Sequence, residues 1–451
     1  MTDFKKISAA LLLAALLSLG AADAVAGRDN VSAIRDEEIE RSLRDFTAPI
    51  FQQAGLSSQY VRFVLLDKNE LNAFVAGGMN IFINTGLILE TKSADQLVGV
   101  LAHETGHIAH GDLLRSKMNL ENLSMEAMVA TVLGIAIAAA TGSGDAAMAT
   151  TAAGQHAAER ALLTHSRIQE TAADQSAVQY MKGAGLPLDG LLAFLEKMES
   201  EELLPESQQT EYMRTHPLTQ DRISYMQGVV DQQRVKATLP AGWPEQHARM
   251  KSKLMGFLFP DRALQDKSDT VAAKYGRAIA MFRKGKMTEA LALLEPLIKA
   301  EPQNPYFLEL KGQILFENGK IEESLAPYSK AVQFAPRSGL IRASYAHALL
   351  ESKADPKKRQ AEAVKQLTLA LQTEPRESRS HRMLAIAYGK QGQQGLSHLH
   401  LAEESLLQNK LDNAIRESRL AGETLSKNSA SWLRSTDILA LAQKKKKQKK
   451  D

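Results

Sequence analysis

The chain has 451 residues, no cysteine, and 55 basic against 52 acidic residues, a formal net charge of +3. That length exceeds one typical domain of roughly 100–200 residues, so two or three domains are expected. Without cysteine, disulfides, thiolate metal sites and thiol nucleophiles are excluded, and any metal must be held by His, Asp or Glu. The positive charge is local: the last eight residues, KKKKQKKD, hold six lysines and one aspartate, which leaves 49 basic against 51 acidic residues, or −2, elsewhere. No nucleic-acid surface is indicated, and the basic tail (443–451) reads as solvated and disordered.

Residues 1–26 read as a secretory signal peptide. Lys5 and Lys6 precede an apolar run from Ala9 to Leu19, and Ala24-Val25-Ala26 is a small-x-small cleavage pattern. The run is shorter than the ~20 residues of a comfortable membrane span. The mature chain is expected to begin near Gly27 and to be exported.

Asp29 to about Leu56 reads as helical, with apolar residues at Ile34, Ile39, Leu43 and Phe46. Tyr60 to Asp67 is β-branched and aromatic and reads as a strand. Two short strands, Ala73–Val75 and Asn80–Asn84, flank Gly77-Gly78, a hairpin turn. Any sheet is therefore small. Ser93 with Gln96 three residues on is a capping-box pattern, so a helix is expected from Ala94. Residues 119–154 are Ala- and Met-rich and suit a buried hairpin or a membrane-leaning segment. A helix follows from about Ala161, stopped by Gly183 and Gly185. Residues 236–269, with prolines at 240, 244 and 260, bracket a short amphipathic helix and look like a linker.

Beyond the linker the sequence repeats. Gly285, Ala290, Leu294 and Pro302 recur 34 residues later as Gly319, Ser324, Tyr328 and Pro336. A third unit (Ala346, Leu349, Ala363, Leu367, Ala370, Pro375) is five residues longer through Ala354–Lys358, and a fourth begins with Ala385, Tyr388 and Gly392. The period and the small-residue and proline pattern resemble the tetratricopeptide repeat, a stack of helix pairs with a concave groove. The pattern degrades towards Leu425, and SWLRSTDILALA reads as a closing helix.

The chemistry centres on HETGH. His103 and His107 are i and i+4 on a helix and share one face, so both imidazoles can reach one ion at about 2.0–2.1 Å. In such a motif the adjacent Glu104 binds no metal but takes a proton from water. A catalytic zinc needs a third protein ligand and an open fourth position. A metzincin would need Gly at 110 and His at 113; here they are His110 and Leu113, so that class fails. Glu170 is the better third ligand, with His165 a rival. Glu170 and Asp174 share a face of the second helix, where Asp174 can accept a hydrogen bond from the free ring nitrogen of His103 or His107.

The stretches NAFVAGGMNIFINTGLI, LVGVLAHETGHIAHGD, SRIQETAADQSAV and THPLTQDRI, in that order, resemble the HtpX and CAAX-prenyl-protease type of gluzincin over about residues 30–230. The resemblance implies His103, His107 and Glu170 as ligands of one Zn²⁺ and Glu104 as general base. It implies an edge strand at about Ala73–Asn84 (Ala73, Phe74, Asn80, Ile81, Phe82) that binds substrate backbone. It also implies that His216 and Arg222, of an HPxxxxR motif, lie near the metal. Either His216 or Arg222 can be the oxyanion donor; His216 can otherwise be a latch in the fourth zinc position or a plain turn residue. HtpX proteins carry long hydrophobic helices that this chain lacks. Its leader and repeats instead resemble the layout of periplasmic proteases that serve outer-membrane protein assembly.

The expected fold is mainly α: a gluzincin metalloprotease domain with a small β-sheet (27–235), the linker, then an α-solenoid of tetratricopeptide repeats (270–442). The expected function is that of a periplasmic zinc endopeptidase acting on misfolded or unassembled outer-membrane proteins. A protein partner sits in the repeat groove, and 125–150 offers a peripheral membrane contact. The alternative is a repeat-based chaperone or adaptor with little turnover.

Overall fold

The computed structural model describes residues 32–76, 78–111, 167–202, 209–233 and 237–448. The signal peptide, the segment 119–154 with its membrane-contact stretch, His165 and the start of the helix expected from Ala161 lie outside the described residues.

The described chain opens with β1 (Ala33–Ile34) and α1 (Glu37–Gln53). The helix expected from Asp29 is thus corrected. The Asp36 side chain accepts from the Ile39 N–H (3.0 Å) and starts the helix there, after a strand that pairs with the sheet. Ile39, Leu43, Phe46 and Ile50 form its buried stripe. The sheet is completed by β2 (Arg62–Leu66), β3 (Ala73–Ala76) and β4 (Asn80–Asn84), in the order β1-β2-β4-β3. β4 runs parallel to β2 and antiparallel to β3. The β3–β4 hairpin turns at Gly78, whose φ of +90° suits glycine.

After α2 (Thr85–Glu90) comes α3 (Ala94–His110). Its start agrees with the sequence, but the capping box does not form: Ser93 makes no side-chain cap bond, and the Gln96 side chain accepts from the Lys92 N–H instead (2.8 Å). α4 (Arg167–Gly183) and α5 (Asp189–Glu202) pack against α3. Glycine sets this contact. A Cβ on Gly106 would stand 2.9 Å from the Ala173 Cα and carbonyl oxygen, so only glycine lets α3 and α4 close to this distance.

Two short helices follow, α6 (Glu211–Thr215) and α7 (Gln220–Asp231). Next is α8 (Trp243–Leu258), within the stretch expected to be a linker. It is packed on both sides. Trp243, Met250 and Leu254 belong to the peptidase core, with the Trp243 ring 4.9 Å from that of Phe46. On the other side, past α9 (Pro260–Gln265), it crosses the first repeat helix, α10 (Val271–Arg283). A Cβ on Gly256 would lie 2.6 Å from the Gly276 carbonyl oxygen, so backbone meets backbone at the crossing.

The repeats are helix pairs. α10 pairs with α11 (Met287–Ala300), α12 (Pro305–Glu317) with α13 (Ile321–Phe334), and α14 (Gly339–Glu351) with α15 (Pro356–Thr373). α16 (Ser378–Lys390) pairs with α17 (Gln394–Leu407), and α18 (Leu411–Thr424) with α19 (Ala430–Gln448). The repeat positions do the packing expected of them: Ala290, Leu294, Ser324 and Tyr328 are buried, and Gly312 lies against the Tyr328 ring. The tail expected to be disordered is helical through Gln448, because α19 continues into it and Lys446 pairs with Asp412 on α18. Among the described residues no helix is long and apolar enough to cross a membrane.

The repeats dock on the peptidase through charge as well as through α8. Lys253 Nζ lies 2.8 Å from Asp36 Oδ2 and 3.1 Å from Glu38 Oε2, and Tyr275 donates to the same Glu38 oxygen (2.9 Å). Arg249 pairs with Glu301, and Arg35 with Glu374 (2.8 Å); each acid sits just before a repeat proline, Pro302 or Pro375.

Candidate active site

α3 brings His103 and His107 together, as the i, i+4 spacing requires, with their Nε2 atoms 3.2 Å apart. The α3–α4 contact at Gly106 carries Glu170 to them. Glu170 Oε2 is 3.2 Å from His103 Nε2, and Glu170 Oε1 is 3.3 Å from His107 Nε2. Asp174, one turn on, lies with Oδ1 2.8 Å from His103 Nδ1. Four residues, His103, His107, Glu170 and His216, each offer a ligand atom within 4.8 Å of the others.

His216 arrives from the far side of the site. Glu211 anchors α6 to the sheet end through Lys68 Nζ (2.8 Å) and Asn84 Nδ2 (3.3 Å), and the Tyr212 N–H donates to the Leu71 carbonyl (3.3 Å). Pro217 disfavours helix at the residue before it, and α6 ends at Thr215. The His216 ring then stacks on Tyr212 (4.6 Å between centroids, 24° between planes). Its Nδ1 is 3.1 Å from Glu170 Oε1 and its Nε2 is 3.2 Å from the Ala73 carbonyl oxygen. Tyr212 was not among the residues singled out from sequence; its place four residues before His216 is the signal that points to it.

Arg222 is turned to the carboxylates: Nε to Asp174 Oδ2 (2.6 Å), Nη2 to Asp174 Oδ1 (3.0 Å), Nη1 to Glu170 Oε2 (2.9 Å), with Nη1 also donating to the Pro217 carbonyl (2.8 Å). His110 is exposed, with Nε2 3.0 Å from Ser176 Oγ, and stands apart from the cluster.

The strand expectation needs correction. Ala73 and Phe74 lie on β3, the edge of the sheet, beside His216. Asn80, Ile81 and Phe82 lie on β4, which is paired on both sides by β2 and β3 and so has no free edge. All five residues are buried.

The donor set fits a tetrahedral metal ion. Ligands about 2.0–2.1 Å from a tetrahedral centre stand roughly 3.3 Å from one another; the two histidine Nε2 atoms are 3.2 Å apart, and Glu170 turns one carboxylate oxygen to each ring, at 3.2 and 3.3 Å. Glu104, His103, His107, Glu170 and Asp174 are wholly buried, with His216 and Arg222 at most 2% exposed. Neither Glu104 carboxylate oxygen has a hydrogen-bond partner; His216 Nε2 lies 3.6 Å from Glu104 Oε1. A buried carboxylate without a donor is costly. Arg222 meets two of the three carboxyl groups, Asp174 and Glu170, and the pocket suits a further cation. The electrostatics agree. Burial alone would pull the His103 ring down, but Glu170 and Asp174 outweigh it and push the ring up to about 10. Burial likewise works against the Glu170 charge, yet His216 and His103 hold its carboxyl well below the usual range.

Residues 33–230 match the profile of peptidase family M48, and residues 275–338 match that of the tetratricopeptide repeat. The beta-barrel assembly-enhancing protease of Yersinia pestis is 26% identical over 365 residues, 78% of this chain and 73% of that protein. The protein of the same name in Escherichia coli K12 is 24% identical over 310 residues, 66% of this chain and 62% of that protein, so the match spans less than two thirds of the relative. Protease HtpX of Shewanella oneidensis is 37% identical over 92 residues, 20% of this chain and 31% of that protein. The chain thus carries a peptidase family M48 domain, a metalloprotease module, followed by tetratricopeptide repeats.

Proposed function

We propose that this chain is an exported, periplasmic zinc endopeptidase that acts on misfolded or unassembled outer-membrane proteins, with its repeats docking substrate or assembly machinery. The observation that carries the reading is the buried triangle of His103, His107 and Glu170 beside an unpartnered Glu104. The name of the Yersinia pestis and Escherichia coli relatives supports the substrate class.

His103, His107 and Glu170 would hold the ion. When bound, zinc supplies a Lewis acid and a water with a pKa near ~7. Glu104 takes a proton from the attacking water and returns it to the leaving amine. Asp174 accepts from His103 Nδ1–H, which keeps the Nε2 lone pair free for the metal. Arg222 holds Asp174 and Glu170 in place rather than meeting substrate. The edge of β3 offers backbone to an extended substrate, and the Ala73 carbonyl must then release His216. His216 stands among the ligand atoms, where as a latch it would keep the attacking water from them until substrate enters.

The test is the purified mature chain, assayed for zinc content and for cleavage of an unfolded outer-membrane β-barrel protein. Glu104→Gln should keep its zinc and lose cleavage by roughly 10²–10⁴-fold. Undiminished cleavage would remove the role given to Glu104. One observation favours a second reading, a repeat-based chaperone or adaptor with little turnover: the site is wholly buried, with His216 inside it. Full complementation of a deletion strain by Glu104→Gln would favour that reading.

A further inference from the structure

We propose that α19 and the groove beside it form a docking surface for an anionic phospholipid bilayer. α19 packs on α18 through Ser435, Ile438 and Ala442. Helical spacing places Leu433, Asp437, Ala440, Lys444 and Lys447 together on the opposite face, with Leu441 at its margin. Leu433 is 50% and Leu441 42% exposed. The outer face of a solenoid's terminal helix is ordinarily polar, since nothing stacks on it. Here leucines share it with lysines. Asp437, the one acid on that face, lies in the field of Arg434.

Between α18 and α19 runs an open groove of about 600 Å³. Arg416, Arg419 and Leu420 line it from α18 and Lys446 from α19, with the acids Asp412 and Glu423. Lys446 is paired with Asp412, and Arg416 with Glu417. Among the described residues Arg419 makes no ion pair with an acid, so a cation stands free in the groove. The charge is concentrated here. Six of the last eight residues are lysine, whereas the rest of the chain is slightly acidic.

A run of lysines alone suits any polyanion. Exposed leucines beside it distinguish a bilayer, whose interface takes apolar side chains below the headgroup level while cations meet the phosphates. A nucleic acid or an acidic protein tail has no such use for Leu433 and Leu441. The helix would lie along the surface, with Lys444 and Lys447 at the phosphates and Arg419 over a headgroup.

The test is co-sedimentation of the full chain with vesicles of phosphatidylcholine alone and with added phosphatidylglycerol. Binding is expected only with phosphatidylglycerol, weakening as salt screens the charges. Each lysine near an anionic surface contributes roughly fivefold in affinity, so Lys444→Glu with Lys447→Glu should lower binding by at least about 25-fold. Leu433→Ser with Leu441→Ser should weaken it several-fold without changing the salt dependence. All four side chains are exposed or project from the helix surface, so circular dichroism should show an unchanged fold. Equal binding to both vesicle types overturns the proposal. So does equally tight binding to heparin combined with no effect of the leucine substitutions, which would make the helix a general polyanion site.

Discussion

Arg222 grips Asp174 with two nitrogens, Nε 2.6 Å from Oδ2 and Nη2 3.0 Å from Oδ1, while Asp174 Oδ1 also meets His103. A third contact runs from Nη1 to Glu170 Oε2. One guanidinium therefore holds both a proposed ligand and the orienter of another. Arg222→Ala would remove the guanidinium shared by two buried carboxylates and leave them to the histidines alone, a loss of up to about 3–5 kcal/mol in stability. Loss of such supporting contacts typically weakens metal binding by roughly 10–100-fold. Thermal melts and zinc competition against a chelator measure the two effects. Arg222→Lys keeps the charge but not the planar fork, and should fall between. If both variants bind zinc like the parent, Arg222 does not position the site.

His216→Ala should raise basal cleavage of an unfolded substrate, because the ring lies among the ligand atoms, Nδ1 3.1 Å from Glu170. An oxyanion donor would instead be revealed by a loss of roughly 10²–10³-fold. An unchanged rate would reduce the residue to a turn former.

Lys253 holds the junction between peptidase and repeats. Burial works against its charge, but Asp36 and Glu38 outweigh it and keep the ammonium well above its ordinary pKa. Lys253→Ala strands Glu38, and breaking a buried pair in this way costs about 3–5 kcal/mol. Differential scanning calorimetry should then resolve separate transitions for the peptidase and the repeats. A single transition at the parent temperature would show that α8 alone carries the coupling.

His247, buried on α8, lies with Nε2 2.9 Å from Thr91 Oγ1. Burial and the nearby Lys251 hold its ring down to about 4. In the unfolded chain it titrates near ~6.5 and binds more protons than the folded state between these values. Stability from this group is therefore complete above pH ~6.5 and falls as pH drops towards 4, by at most roughly 3 kcal/mol. Urea melts across that range should show the slope, and His247→Leu should flatten it.

What the sequence made legible was local. HETGH and the Glu170/Asp174 pair each lie within one helix, where i, i+4 spacing fixes the shared face before any tertiary contact forms. The repeats were legible for the same reason, through small residues at a constant period. His216 was harder. Its motif is visible, but its position depends on Glu211 reaching Lys68 and Asn84, residues more than a hundred positions away. The edge strand was half legible: alternation marks strands, but only the parallel β2–β4 pairing buries Asn80, Ile81 and Phe82 inside the sheet. The lysine tail misled because composition alone favours solvation, whereas α19 carries its helix into it.

The crossing of α8 and α10 at Gly256 and Gly276 leaves no room for a side chain between the two helices. Because α8 is also part of the peptidase core, any shift of the first repeat must carry that core helix with it.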